Sequence, residues 1–408
     1  MTKKRYFFLI LILGLLTALS PFSIDMYLPG FPAIAKDLHT TTGEVARSLS
    51  SFFIGLAAGQ LLYGPLMDRF GRKRPLYFGL ALYILISIGC STAKSIDMLI
   101  ALRGIQALGS CAAGVAAMAM VRDIFPVNEN AKVFALLVLV LGASPMIAPT
   151  VGSYLTAYWG WQSVFIMLMS IATLILLAVI FTLPESYKPD ASYSLKPLPI
   201  ITSFIGVIKV PQFYTYSIAT SLAFAGLFAY VAGAPAVFME FYHLSGKTFG
   251  WIFAALSVGF VGSSQLNSVL LKYFRSEQIV VFSLSGQAIV AVIFFITSLN
   301  GWGGLYGTIG LTFLILCGIG ITNPNAAALS LAPFSKNAGT AASLMGAMQL
   351  GVGALSSYSI SFFTVVSPYP MAAIMVASSV IALAVLLVGR RMIVDEVDAD
   401  TAVVAVGH

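Results

Sequence analysis

The sequence predicts an all-α membrane protein with twelve transmembrane helices, arranged as two pseudo-symmetric six-helix bundles with both termini in the cytoplasm. The prediction rests on the composition, the number of apolar stretches and the distribution of basic residues. Of the 408 residues, 59% are hydrophobic and 9% are charged, whereas soluble domains carry about 25% charged residues. This composition is typical of a multi-pass membrane protein.

Twelve apolar stretches are each long enough to cross a bilayer, which takes about 20 residues in a helix. In order they are 6–30, 44–66, 75–94, 97–121, 132–156, 161–183, 212–239, 247–271, 278–298, 303–328, 339–364 and 369–391. A polar stretch divides them into two sets of six. We therefore expect an N-terminal bundle over 1–186, a cytoplasmic linker over 187–210, a C-terminal bundle over 211–391 and a short acidic tail over 392–408. Residues 198–210 are apolar enough to form an amphipathic helix on the membrane surface.

The basic residues fix the predicted orientation. With the N-terminus inside, 17 of the 22 Lys and Arg residues lie on the cytoplasmic side, four lie outside, and Arg103 falls within the fourth span. Cytoplasmic loops carry such an excess of positive charge. The net charge of +7 therefore reflects membrane orientation, and it does not indicate a nucleic-acid partner.

The two halves show a weak internal repeat. Gly55, Gly59 and Gly64 lie along the second span, and Gly259 and Gly262 lie along the eighth. The loop after the eighth span keeps basic residues but has lost the acidic and glycine positions of the loop after the second. A duplicated six-helix unit would leave this kind of degenerate copy.

A short basic loop, Gly64-Pro-Leu-Met-Asp-Arg-Phe-Gly-Arg-Lys-Arg74, joins the second and third spans. Asp68 is predicted to act as a gate latch, facing the positive N-terminal end of the eleventh span near 336–340. The alternative is a surface turn whose charge Arg69 and Arg72 balance. The residues assigned to the gate are Gly64, Asp68, Arg69, Gly71 and Arg72.

Two ionisable residues within the predicted spans are candidates for proton coupling. Asp25 lies near the outer end of the first span and Arg103 lies in the fourth, and such residues are costly in a bilayer and therefore functional candidates. Asp25 either binds and releases a proton or orients the helix end in a fixed ion pair. Arg103 either couples protonation to conformation or donates structurally to backbone carbonyls.

Two further motifs shape individual helices. The fifth span carries Pro145, Pro149 and Gly152, which bend a helix and allow close packing, either as a hinge at the interface of the halves or as an ordinary kink. Arg122-Asp123 ends the fourth span, where we expect an ion pair that fixes the helix end.

Polar and aromatic residues within the spans are candidates for lining a substrate cavity. Amides bind substrate or bond helices together, and aromatic and Met side chains line an adaptable apolar site or simply pack. The residues assigned to the cavity are Tyr27, Gln106, Met118, Phe224, Phe228, Tyr230, Asn323 and Gln349.

No catalytic or metal-binding constellation is recognisable. The sequence has no Gly-rich phosphate-binding motif ending in Gly-Lys-Ser/Thr. Its three histidines are scattered outside the predicted core, and its three cysteines lie inside apolar runs. We therefore expect no enzyme activity, no metal and no cofactor.

These motifs together resemble the drug/proton antiporters of the major facilitator superfamily. The stretches that carry the resemblance are 64–74, Arg103-x-x-Gln106-x-x-Gly109 and Pro149-x-x-Gly152, and, for the bicyclomycin-resistance branch, 23–29, 59–65, 122–125 and 338–343. The resemblance covers essentially the whole chain. It implies a central cavity, rocking alternating access and location in the bacterial inner membrane.

The resemblance also implies a function, namely export of amphenicols, bicyclomycin, sulfonamides or related compounds driven by the proton gradient. Some related exporters carry an additional acid where this chain has Thr17, and its absence favours neutral or zwitterionic substrates. The alternatives are a dedicated metabolite or siderophore exporter, a transport-dead sensor on the same scaffold and a membrane enzyme. A monomer is expected because each chain would contain a complete cavity.

Overall fold

The computed structural model describes residues 3–190, 195, 197–334, 337–363, 365–393 and 397. This part of the chain is helical, and the remaining residues between elements are turns and coil. The helices are α1 (Lys3–Asp25), α2 (Phe31–Asp37), α3 (Thr42–Phe70), α4 (Lys73–Ser91), α5 (Ile96–Ile124), α6 (Val127–Trp159), α7 (Gln162–Thr182), α8 (Pro197–Ile208), α9 (Pro211–Pro235), α10 (Gly246–Leu270), α11 (Ser276–Asn300), α12 (Gly304–Leu331), α13 (Ala338–Ile360) and α14 (Tyr369–Gly389).

Eleven of the described segments are long and apolar enough to cross a membrane. They are Tyr6–Asp37, Thr42–Phe70, Lys73–Ser91, Ile96–Ile124, Gln162–Thr182, Pro211–Phe241, Gly246–Leu270, Ser276–Asn300, Gly304–Leu331, Ala338–Ile360 and Tyr369–Met392. The fifth predicted span lies within α6, several of whose side chains are outside the described residues, and it is not one of the eleven. The count of twelve and the cytoplasmic termini therefore stay predictions.

The chain divides into two compact units. The N-terminal unit comprises Met1–Lys196 and Leu244–Ala254, and the C-terminal unit comprises Pro197–His243 and Ala255–His408. In the N-terminal unit, α5 packs against α3 and α4, while α1 packs against α5 and α6. In the C-terminal unit, α9 packs against α12, α13 and α14, and α11 packs against α12 and α14.

The first spanning segment is broken near its outer end. α1 ends at Asp25, a 3-10 turn follows at Leu28–Gly30, and α2 resumes at Phe31. Pro29 lies in this break and Pro32 lies in the first turn of α2, and a proline has no N–H to continue a helical hydrogen-bond ladder. The break leaves Asp25 at a helix C-terminus inside the apolar segment.

A close helix crossing brings α3 onto α5 in the N-terminal unit. A side chain at Gly55 would collide with the backbone carbonyl of Gly104. Small residues let helix backbones approach one another in a membrane, where dispersion contacts replace the hydrophobic driving force. This crossing holds Arg103, the neighbour of Gly104, against the interior of the unit.

Two histidines occupy equivalent backbone positions in the two halves. His39 and His243 have φ angles of 51° and 53°, in the left-handed region that few non-glycine residues adopt. Each lies two residues before a hydroxyl residue, Thr41 or Ser245, whose oxygen accepts a backbone N–H in the first turn of the next helix. Two of the three histidines that look scattered in the sequence therefore mark the same turn of the internal repeat, before α3 and before α10.

Candidate functional site

The Asp25 carboxyl group is buried at the break in the first span. Asp25 is 5% exposed. Among the residues that the structure describes, no hydrogen bond or ion pair reaches the carboxylate. Fixed pairing, one of the two alternatives for Asp25, is thus not seen in this conformation.

The Arg103 guanidinium is fully buried and is attached to the same helix end. Its Nη2 donates to the backbone carbonyl of Ser23 at 2.9 Å, and its Nη1 donates to Oε1 of Gln106 at 2.6 Å. Its Nε has no hydrogen-bond partner in the described part of the chain. Arg103 therefore acts here as a donor to a backbone carbonyl two residues before Asp25, and it does not pair with the carboxylate.

Aromatic rings enclose the same guanidinium. Its Cζ atom lies 4.2 Å from the ring centroid of Phe52, 4.8 Å from that of Tyr27 and 5.7 Å from that of Phe165. Ring faces attract a desolvated cation. Together with the Ser23 carbonyl, which lies at the negative end of α1, the rings compensate a charge that would otherwise be too costly to bury.

Polar side chains extend this arrangement to α4. Gln106 donates from Nε2 to the Ser87 hydroxyl at 2.7 Å, and Ser87 donates to the Tyr83 carbonyl. The Tyr83 and Ser23 hydroxyls are 2.6 Å apart. Sequence reasoning did not assign Ser23, Tyr83 and Ser87 to the site, because hydroxyl residues are frequent on membrane helices.

The residues assigned to the substrate cavity differ in burial. In the N-terminal unit Tyr27 and Gln106 are fully buried, and only Met118 is partly exposed. In the C-terminal unit Tyr230 is 1% exposed and Phe228, packed on Gly353, is 7% exposed. Phe224, Asn323 and Gln349 are partly exposed and keep surface that a ligand could contact.

Amide side chains connect helices of the C-terminal unit. Oδ1 of Asn323 accepts from Thr220 at 3.1 Å and from Nε2 of Gln349 at 2.9 Å. Two residues further along α12, Nδ2 of Asn325 donates to Oδ1 of Asn267 at 2.6 Å. The structure therefore brings together Asn323 and Gln349 among the predicted cavity residues.

The predicted gate loop is held by an ion cluster within the N-terminal unit. Arg72 bonds Asp68 through Nη1 and Asp123 through Nε, both at 2.8 Å. Burial opposes the charge on Arg72, but the hydrogen bonds to Asp123 and Asp68 outweigh it and raise the pKa of the guanidinium. The pair of Asp68 with Arg72 is the contact expected if Asp68 lies in a surface turn whose charge is balanced locally. The predicted contact of Asp68 with the eleventh span includes Lys336, which lies outside the described residues.

The segment after α7 also binds this loop. The Glu185 carboxylate accepts the backbone N–H groups of Arg72 at 2.8 Å and Lys73 at 3.1 Å. In return, the Lys73 ammonium donates to the carbonyl of Leu183 at 2.7 Å. Gly71, with a φ of 83°, leaves space for the carboxylate. Sequence reasoning missed Glu185, whose partners are more than 100 positions away.

The other residues assigned to the gate lie towards the end of α3, and those assigned to the hinge lie in α6. Among the described residues outside its own helical turn, no atom lies within 4 Å of a side chain added at Gly64, and Arg69 is partly exposed. Pro145 and Pro149 both lie inside the continuous helix α6. Gly152 contacts the backbone carbonyl of Met26, so this element packs α6 directly onto the residue after Asp25.

A family model described as "Major Facilitator Superfamily" matches residues 13–357. The chain belongs to the major facilitator superfamily. It is 32% identical over 353 residues to the bicyclomycin resistance protein homolog of Haemophilus influenzae, covering 86% of this chain and 88% of that one. It is 28% identical to the multidrug resistance protein MdtL of a Shewanella strain, covering 91% and 93% of the two chains.

The fold is also that of a known transporter structure. The structure superimposes on the crystal structure of a D-xylose-proton symporter with a TM-score of 0.74 at 16% identity, covering 97% of this chain and 99% of that one. The family match, the relatives and the apolar spans together identify the protein as a multi-pass transporter of the bacterial inner membrane. The family resemblance stated from the sequence motifs is confirmed.

Proposed function

We propose that this transporter exports small drug-like molecules in exchange for protons, by alternating access. The single observation that carries the proposal is the buried Asp25 carboxyl, which lies in the broken first span without a partner among the described residues. In the part of the chain that the structure describes, no cation pairs with this carboxylate, so proton binding there can be linked to a conformational change. The relatives named for bicyclomycin and multidrug resistance support drugs as the cargo.

In the proposed cycle, deprotonated Asp25 favours substrate binding in the inward-open state. Protonation from outside then favours substrate release and resetting. The proton gradient supplies the drive, since each charge that crosses 100 mV contributes about 2.3 kcal/mol. Amphenicols, bicyclomycin and sulfonamides are the proposed substrate classes, and a monomer with twelve spans and both termini inside is the proposed unit.

Arg103 is proposed to transmit the charge change. It contacts the Ser23 carbonyl on α1, so movement of the α1 end on protonation of Asp25 would reach α5 through one hydrogen bond. Asp68 is proposed to latch the cytoplasmic side, with Arg72 and Asp123 orienting it. Pro145, Pro149 and Gly152 are proposed to let α6 bend during the cycle.

The test is drug-driven proton movement in proteoliposomes, with chloramphenicol and a sulfonamide as substrates. We expect the wild type to move protons with drug and Asp25→Asn to lose this coupling while it still folds. Asp37→Asn is the matched control, because Asp37 lies at the end of the same span but is exposed and bonded to Trp161 at 2.8 Å. It should behave as the wild type does.

Two results would contradict the proposal. If Asp25→Asn still exchanges protons for drug, the coupling carboxyl lies elsewhere. If the wild type ignores every drug but responds to a metabolite or a siderophore, the protein is a dedicated exporter on the same scaffold.

A further inference from the structure

Three helices of the C-terminal unit meet at one amide. Asn323 on α12 accepts two hydrogen bonds at the same oxygen, one from Thr220 on α9 and one from Gln349 on α13. These bonds use the full acceptor capacity of Oδ1. They fix the rotation of the Asn323 amide relative to the Gln349 amide, because a flip of Asn323 alone would place its NH2 group against the NH2 group of Gln349.

Two polar groups of this cluster stay unused. The NH2 group of Asn323 and the carbonyl oxygen of Gln349 make no hydrogen bond among the described residues, and both side chains are partly exposed. One is a donor and the other an acceptor. If both amides are turned together, the unused pair is again one donor and one acceptor. The chemistry offered to a ligand is therefore the same.

The cluster lies at membrane depth. Thr220 is near the middle of α9, Gln349 is near the middle of α13, and both helices belong to spans. An unpaired amide that faced hydrocarbon would pay a large desolvation penalty. The exposed side of the pair therefore faces water or a polar ligand rather than lipid.

We propose that Asn323 and Gln349 form a binding subsite for a neutral group that carries an adjacent donor and acceptor, such as a secondary amide. Thr220 is a positioning residue that orients Asn323. This inference rests on the proposed export function and narrows its substrates. A cation without hydrogen-bonding groups gains nothing at this subsite.

A second amide pair in the same unit has a purely structural arrangement. Asn325 donates both to Asn267 at 2.6 Å and to the Ile321 carbonyl at 2.8 Å, and it is 2% exposed. Its donors are used and its surface is covered, so it has nothing to offer a ligand. It is therefore the matched control for Asn323, on the same helix and with the same side chain.

The experiment is equilibrium binding of chloramphenicol, a neutral secondary amide, to the purified full-length protein, with tetraphenylphosphonium as the cation that has no donor or acceptor. We expect Asn323→Leu to weaken chloramphenicol binding by about tenfold, equal to one or two ordinary hydrogen bonds. Tetraphenylphosphonium binding should change by less than about twofold. Thr220→Val should weaken chloramphenicol binding less, and Thr220→Ser should restore it.

The control variant Asn325→Leu should lower the thermal stability, because it leaves the Asn267 amide buried and unpaired, but the folded protein should bind chloramphenicol as the wild type does. If Asn323→Leu binds chloramphenicol with wild-type affinity, or loses both ligands equally, the subsite is overturned while export stands. If the wild type neither binds nor transports either compound, the export proposal fails and this inference fails with it.

Discussion

The Arg103 side chain is a fully buried cation in the N-terminal unit. A fully buried cation is tolerated when hydrogen bonds and neighbouring groups compensate its charge. The planar guanidinium does this by reaching the Ser23 carbonyl and the Gln106 amide at the same time, which a single ammonium cannot do with the same geometry. The contact joins the end of α1 to α5.

Replacing Arg103 with lysine should therefore lower the free energy of unfolding by roughly 2 kcal/mol, the value of one charged hydrogen bond, and should reduce drug transport. Thermal unfolding in detergent measures the first effect and proteoliposome uptake the second. The control is Arg47→Lys, whose pair with Glu44 is one-third exposed and contributes less than about 1 kcal/mol. Equal stability losses in the two variants would show that the buried contacts of Arg103 contribute little.

Single residues also show where sequence reasoning stops. The burial of Asp25 could be predicted, because an acid within an apolar span is costly in lipid and therefore faces the protein interior. The partner of Arg103 could not, because it depends on how α1 rotates relative to α5. The left-handed turns at His39 and His243 are likewise invisible in the sequence, since histidine does not require that conformation.

At the level of elements, the N-terminus of α4 and the C-terminal end of α7 are capped by groups from each other's neighbourhood. No side chain within the α4 N-terminus caps it. Instead Glu185, just after α7, accepts two of its first N–H groups, and Lys73 donates to the carbonyl that ends α7. Capping satisfies groups that a helix end leaves unpaired, and here it also ties the loop with Asp68 to the segment that follows the sixth predicted span.

We predict that Glu185→Ala lowers the free energy of unfolding by about 1 kcal/mol, the usual loss for a removed N-terminal cap. It should also speed hydrogen exchange at the amides of Arg72 and Lys73. Glu185→Gln should have a smaller effect because it keeps an acceptor oxygen. Exchange mass spectrometry on the loop peptide measures both.

The control is Glu44→Ala. Glu44 also lies in a first helical turn, but there the Thr41 hydroxyl supplies the cap. Unchanged exchange at Arg72 and Lys73 in Glu185→Ala would mean that the cap does not hold the loop.

Helix extents were predictable and helix contacts were not. The prediction of 44–66 corresponds to Thr42–Phe70, and that of 278–298 to Ser276–Asn300, because span length is dictated by bilayer thickness. The cluster of Asn323, Thr220 and Gln349 requires three helices to meet in one register, which the periodicity of any one helix does not specify. The cavity assignment of Tyr27 and Gln106 stays a prediction, and both are fully buried in this conformation.

At the scale of the whole molecule, the orientation can be tested through exposed loop residues. The predicted topology places His39 outside and Lys272 inside, and both are exposed. In a background that lacks the three native cysteines, His39→Cys should react with a membrane-impermeant maleimide added to intact cells. Lys272→Cys should react only after the membrane is opened. The opposite pattern would reverse the proposed orientation, and labelling of both from outside would contradict an inside location for the loop after α10.

The two units place different chemistry in their interiors. The N-terminal unit holds a buried acid and a buried cation, Asp25 and Arg103, whereas the described core of the C-terminal unit holds neutral amides and hydroxyls. If the first set supplies the energy and the second recognises the cargo, the two tasks would evolve separately. A bacterium under a new antibiotic could then acquire a different drug range through changes around Asn323 and Gln349, without passing through variants that have lost the drive for transport.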